Sequence, residues 1–505
     1  MKKLVVMLLT AVIAVSAVTG CGTSGNQPEE STAGPESGAA DEGEAVPEET
    51  EADHTEVSET EKAAEEEIIS EGTVYNVFCL GEDFKNRVQD YYPEYVITGE
   101  DAGMIGETKV QWHLYTDAQE YREALDEKLE AQAPSEDGTD AAEAPLDERV
   151  DLFVVDEAFL RDYVETASSL DVITQVGLAA EELSDQFLYT QQMAADSDGR
   201  LKAVTWQATP GVFAYRRSIA KEVLGTDDPE TVQEAVSDWE RFAQTAEAAK
   251  ENGYYMLSAY GDAYQVYADN VSTAWVEDGS LNIDPHLVEW AEQTREFAEN
   301  GYTHGTEQWS DEWRADHTGD GEVFGFFYSS WGIRYTLQNK AEGVTEDGEE
   351  NEEVESATGD YAVVKGPEPS HYGGQWIIAA AGSDNTELTA SIMRALTCDS
   401  KIMKKIALDI HEFTNTVSGM KEIAESDYKA DVLGGQNPVP IYLEVAQQLT
   451  QTHTTSYDDD LDMGFQVSMQ DYFAGRVSLD DAIELFKKAA VARYEELAEE
   501  EEEEE

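Results

Sequence analysis

The chain has 505 residues and carries 108 Asp and Glu against 32 Lys and Arg, a formal net charge of −76. An acidic excess of this size repels phosphate backbones and anionic membrane surfaces, which argues against nucleic acid as a partner. Its 24 Tyr, 15 Phe and 9 Trp are enough to fill large cores and leave rings for a ligand.

Met1-Lys2-Lys3 is followed by an apolar run over 4–18 that ends in small residues before Cys21. The run is short for a membrane span and has the charged-then-apolar layout of a signal peptide, expected over 1–20. Val18-Thr19-Gly20-Cys21 resembles the lipobox of bacterial lipoproteins, which implies cleavage before Cys21 and acylation of its thiol. Residues 21–71 hold almost no bulky apolar side chains before Ile68. They are expected to form a disordered acidic tether, because burial could not offset the entropy of ordering them.

The stretch 72–492 exceeds what one core supports, so two lobes are expected. It opens with an apolar strand over 73–80, a helix near 84–92, a strand near 109–114 and an amphipathic helix over 117–131. A buried strand over 150–155 and a helix over 157–166 follow, and the alternation predicts a largely parallel sheet with helices on both faces. Polar stretches at about 132–148 and 342–356 read as inserted loops, and 493–505 as an acidic tail. Strands over 201–209 and 211–215 flank Pro210-Gly211, and Ser218 is a candidate cap for a helix to Val223. Helices over 232–250 and 285–300 enclose a strand over 254–260. A strand over 323–328 leads into Ser329-Ser330-Trp331 as a helix start, then come strands over 361–364 and 376–380 and a mainly helical remainder. Cys79 and Cys398 sit in runs that read as buried, either as reduced thiols or as a disulfide.

Four stretches are distinctive together: 203–220 around Trp206 and Pro210-Gly211, Gln308-Trp309-Ser310-Asp311-Glu312-Trp313, Gly373-Gly374-Gln375-Trp376 and Gly434-Gly435-Gln436-Asn437-Pro438. They resemble the extracellular solute-binding lipoproteins (family 1 type) of carbohydrate ABC transporters, a resemblance that covers about 73–492. It implies an α/β, two-lobed, periplasmic-binding-protein-like (type II) fold with hinge strands and a cleft that closes on a ligand. It further implies a non-enzymatic receptor for a sugar or small oligosaccharide, without cofactor and monomeric. Its partners would be the transmembrane permease subunits and, through them, their ATPase. The setting implied is the outer face of the membrane of a Gram-positive cell.

A sugar offers hydroxyls that need paired donors and acceptors and C–H faces that stack on rings, so its cleft should mix Trp and Tyr with polar residues. The resemblance places Trp206, beside Gln207, facing the cleft, and makes Trp376, beside Gly373-Gly374, a candidate stacking platform. Trp331, at a strand end that begins a helix, stands where open α/β sheets bind ligands. Glu157 is a candidate hydroxyl acceptor and Asp156 a helix cap; Asp262 could serve as either. Trp275, Tyr215 and Asn415 complete the set. For Trp206 the alternative is a buried ring in the hinge, and for Trp376 a core ring on a strand.

No Gly-x-x-x-x-Gly-Lys-Ser/Thr loop, His-Glu-x-x-His or Cys-x-x-Cys occurs, so neither ATP hydrolysis nor a metal site has a motif behind it. Asp458, Asp460 and Asp462 have calcium-loop spacing, but Met463 and Met469 stand where that loop needs Gly and Glu. A surface glycoside hydrolase and a receptor for a peptide or glycerophosphodiester remain as alternative functions.

Overall fold

The computed structural model describes residues 72–133, 144–342 and 355–497. The signal peptide, Cys21, the tether up to residue 71, the middle of both insertions and the end of the acidic tail lie outside the described residues. The packed body runs to Leu497, whose side chain is buried.

Among the described residues the first strands are β1 (Val74–Leu80), β2 (Tyr95–Gly99), β3 (Ala102–Ile105), β4 (Thr108–Tyr115), β5 (Leu152–Asp156), β6 (Ala203–Val204) and β7 (Gly211–Arg216). They are followed by β8 (Leu257–Ala259), β9 (Val276–Glu277), β10 (Ser280–Leu281), β11 (Thr303–Thr306), β12 (Gly325–Ser329), β13 (Tyr361–Val364) and β14 (Gln375–Ala379). One sheet has the order β2-β3-β4-β1-β5-β14-β6. Its centre, β4-β1-β5, is parallel, and the continuous burial of β1 and β5 is what strands covered on both faces require. The outer strands are antiparallel, so the sheet is mixed rather than largely parallel. A short turn can join β2 to β3 only in antiparallel fashion, and β14 enters from the other lobe against the direction of β5.

The second sheet, β12-β7-β13, is antiparallel, with the parallel pair β8 and β11 attached through a bridge between Tyr255 and Val323. Alternate side chains of a strand point to opposite faces. Phe213 and Tyr215 of β7 accordingly join a core with Phe242, Trp290, Phe465 and Phe473. Val212 and Ala214 join the larger core that also holds Trp112, Phe153, Trp206 and Ile377.

Local chemistry sets the helix boundaries. Asp117 accepts from Glu120 N at 2.8 Å, starting the helix Ala118–Gln132, which buries Tyr121, Leu125 and Leu129 on one face. The helix expected over 232–250 is two, Pro229–Ala235 and Trp239–Glu251, because the Asp238 carboxylate accepts from Arg241 N at 2.8 Å and starts a new one. Ser218 is not a cap: it lies inside the helix Arg217–Val223 and donates from its hydroxyl to Asp360. Cys79 and Cys398 are free thiols.

Among the described residues two segments carry the chain between the sheets, 205–210 from β6 to β7 and 365–374 from β13 to β14, and a third loop, 447–457, joins the helix Val439–Ala446 to the helix Asp458–Phe473. The first is clamped on both sides. Ala208 N donates to Phe413 O at 3.1 Å and Asn415 N to Trp206 O at 2.8 Å, while Gly211 N donates to Ser370 O at 2.5 Å and Tyr372 N to Thr209 O at 3.1 Å. A Cβ on Gly211 would stand 2.2 Å from Ser370 Oγ and 3.1 Å from Ser370 O, so a side chain here would have to displace the Ser370 hydroxyl and press on the backbone of the neighbouring segment.

Candidate ligand site at the strand ends

Parallel β1 and β5 finish at the side of the first sheet where β14 begins, since Gln375 is paired with Asp156. In the second sheet β12 finishes beside the start of β7, with Ser329 opposite Gly211. Strand ends of both lobes therefore meet at the crossing segments, the position where open α/β sheets hold ligands.

On the first lobe, Asp156 accepts from Gln375 Nε2 at 2.9 Å, and burial pushes its carboxyl up to about 6. Although it occupies the position before the helix Glu157–Val164, its side chain makes no capping bond. Glu157 Oε1 lies 2.7 Å from His371 Nε2, and its Oε2 is buried with no hydrogen-bond partner. Arg87 Nη2 stands 3.5 Å from Glu412 Oε2. Gln207 donates to Glu412 from Nε2 and accepts from Gln375 N at 3.0 Å through Oε1.

The second lobe and its crossing supply rings. Trp331 Nε1 donates to Tyr372 O at 2.8 Å, and its ring is stacked on that of Tyr372 with a 26° tilt, the centroids 6.1 Å apart. Tyr372 is 50% and Tyr335 41% exposed, so both keep ring surface open to solvent. Gly373 and Gly374, at φ +69° and +125°, hold backbone geometry that side chains avoid, and a Cβ there would press on Trp331 and Trp376 respectively.

The structure thus brings Trp331, Trp376 and Glu157 together around Gly373-Gly374, where Glu157 N donates to Gly374 O at 3.0 Å. Trp206 and Trp376 lie in the same region but beneath it: both are buried, with indole nitrogens that have no partner, and Trp206 packs on Phe84 at 5.6 Å. The remaining candidates use their polar atoms internally. Tyr215 donates to Asp227 O at 2.8 Å and Trp275 to Asp462 Oδ1 at 2.9 Å in the second core. Asn415 accepts from Phe187 N at 2.9 Å and donates to Thr190 Oγ1 at 3.0 Å and Thr205 O at 3.1 Å. Asp262 accepts from Ser258 N at 3.0 Å and Ala259 N at 2.8 Å. Trp309 and Trp313 of the Gln308–Trp313 stretch contact each other at 5.0 Å, Trp313 buried and Trp309 exposed. Sequence reading missed Arg87, Tyr335, His371, Tyr372 and Glu412. Only His371-Tyr372 carried a signal, as a polar aromatic pair directly before Gly373-Gly374.

Several carboxyls are held above their ordinary range by burial: Asp151, Asp156, Asp262 and Asp458 at about 6 and Asp462 at about 7. A carboxyl whose pKa is higher folded than unfolded adds stability below its unfolded value, and that stability is lost as pH rises through the folded value. The melting temperature is therefore expected to be several degrees higher near pH 5 than near pH 8, measurable by calorimetry; a rise from pH 5 to pH 8 would contradict these assignments.

A family described as bacterial extracellular solute-binding protein matches residues 117–433. No curated protein matches the chain. Among solved structures, one described as extracellular solute-binding protein family 1 superposes with a TM-score of 0.66 at 15% identity, covering 83% of this chain and 100% of its own. The sugar-binding protein MalE from the phytopathogen Xanthomonas citri does so at 0.59 and 14%, covering 83% of this chain and 98% of its own. The galacto-N-biose-/lacto-N-biose I-binding protein of the ABC transporter from Bifidobacterium longum, in complex with lacto-N-biose, does so at 0.56 and 14%, covering 84% and 98%. At these identities the likeness is one of fold, the two-lobed α/β architecture of solute-binding proteins.

Proposed function

Because the chain belongs to the bacterial extracellular solute-binding protein family, we propose that it is the receptor of an ABC importer that captures a sugar or small oligosaccharide between its lobes. The observation that carries this reading is the pairing, at the strand ends, of the Trp331 and Tyr372 rings with a hydrogen-bonding set of Asp156, Glu157, Gln207, Gln375 and Glu412. Rings suit the C–H faces of a sugar, and carboxylates and amides suit its hydroxyls. The fold shared with the lacto-N-biose and MalE proteins supports the same class of ligand.

In this reading the protein performs no chemistry on its ligand. A ligand touching both lobes binds the closed arrangement better, and a permease recognises that arrangement. Acylated Cys21 and the acidic tether would keep the receptor at the outer face of a Gram-positive cell membrane.

A thermal-shift screen of the full chain tests the ligand class, with maltose, lacto-N-biose and β-1,6-galactobiose set against short peptides and glycerophosphodiesters. A ligand present at about 100 times its Kd adds about 2.7 kcal/mol of stability. Stabilisation by peptides or phosphodiesters alone would overturn the sugar assignment, and release of reducing ends would make the protein a glycoside hydrolase.

A further inference from the structure

His371 is 2% exposed and stands on the crossing segment between β13 and β14, where its backbone bridges Pro210 of the other crossing. Its Nε2 is 2.7 Å from Glu157 Oε1, at the start of a first-lobe helix. Its Nδ1 is 3.0 Å from Asp269 Oδ2, just past the second-lobe helix Tyr264–Ala268, and its backbone N–H donates to the same oxygen at 2.5 Å. Gln451, in the 447–457 loop, stands with Nε2 3.2 Å from Nδ1 and 3.4 Å from Asp269 Oδ1; an amide nitrogen only donates, so beside a protonated Nδ1 its N–H is given to Asp269. One buried ring is thus in contact with both lobes and with the 447–457 loop.

A ring with a carboxylate at each nitrogen satisfies both only as the imidazolium, which has two N–H donors. The neutral ring would turn a lone pair toward one carboxylate, leaving a buried charge opposed, an arrangement that is strongly unfavourable. Burial alone would lower the affinity of the ring for its proton. The charges of Asp269 and Glu157 outweigh that and hold His371 protonated well above the usual histidine range. The other groups facing the cluster are the Tyr189 ring, at 5.6 Å from that of His371, and Asp156, Asp459 and Tyr372, whose charges act on or are acted on by Glu157.

We propose that His371 is a positioning residue for ligand capture: its imidazolium ties Glu157 of the first lobe to Asp269 of the second and so sets the angle at which the strand-end site is presented. This rests on the reading of that site as the ligand site, but the tie itself can be tested without ligand. While the ring is charged the lobes are held in the arrangement seen here. As pH rises through the raised pKa of His371 the tie is lost, the lobes open, and affinity for ligand falls.

The test is small-angle X-ray scattering of the ligand-free full chain between about pH 6 and about pH 10, with 15N-imidazole NMR on the same samples. The His371 signal is assigned by its loss in His371→Gln. The wild type should expand at the pH where His371 loses its proton. His371→Gln should sit at the expanded value throughout, and Asp269→Asn should move the transition to lower pH because one stabilising charge is gone. A wild-type radius that does not change as His371 titrates, or His371→Gln reproducing the wild-type profile, overturns the proposal, and the Asp269→Asn arm decides it should His371→Gln fail to fold. With lacto-N-biose as probe, the wild-type Kd should weaken about tenfold across the transition. Expansion without any sugar binding would uphold the tie and overturn the sugar reading instead.

Discussion

Trp331→Ala is expected to weaken sugar binding by about 10- to 100-fold, equivalent to about 1.4–2.8 kcal/mol, while leaving most of the fold's stability in place. The ring is half-buried, stacks with a tilt on Tyr372, donates one hydrogen bond to Tyr372 O and lies against Gly373. Its loss removes a stacking face, and an aromatic anchor in a binding site is worth about 2 kcal/mol or more. The substitution also frees Tyr372, so part of the loss comes from a platform no longer held in place. Calorimetric titration of the variant with whichever sugar stabilises the wild type measures this directly. Unchanged affinity would remove Trp331 from the site.

Trp206→Ala is expected to cost about 3–5 kcal/mol of folding stability, the range for truncating a buried large aromatic. Trp206 is wholly buried among residues of the larger core, packs on Phe84, and is flanked by the backbone bonds that join the crossing segments. Its indole nitrogen has no partner, so the substitution strands no donor or acceptor, and the cost is lost packing and the cavity left behind. Trp206→Phe, which keeps most of the volume, should cost clearly less. Urea unfolding should show a large fall in midpoint for the alanine variant with little change in slope. A midpoint close to that of the wild type would mean that the crossing is not held by this ring.

How much of this was legible in the sequence follows from how local each feature is. β1 is apolar but for Asn76 and β5 is apolar up to Asp156, and the helix Pro285–Asn300 has a regular apolar face, so each could be read from its own residues. β2 and β3 escaped notice because the exposed Val96 and Ile97 and a short turn give no alternating pattern. Trp331 stood out because a strand, two serines and a ring follow one another along the chain. Tyr215, Trp275 and Asn415 have residue types suited to a sugar site, yet their polar atoms are taken up by Asp227, Asp462 and the 187–205 region. Partners of that kind are set by tertiary packing and leave no local signature. Arg87 and Glu412, or Glu157 and His371, come together across more than 200 residues of chain, a meeting that a single sequence does not announce.

The action proposed for the protein is the capture of a sugar between its two lobes. Isothermal titration of the full chain with maltose, lacto-N-biose and β-1,6-galactobiose at two temperatures tests it most directly. Saturable 1:1 binding of at least one sugar is expected, with a negative heat-capacity change from surface buried as ring faces cover the ligand. No heat with any sugar, together with saturable binding of a peptide or glycerophosphodiester, would contradict it.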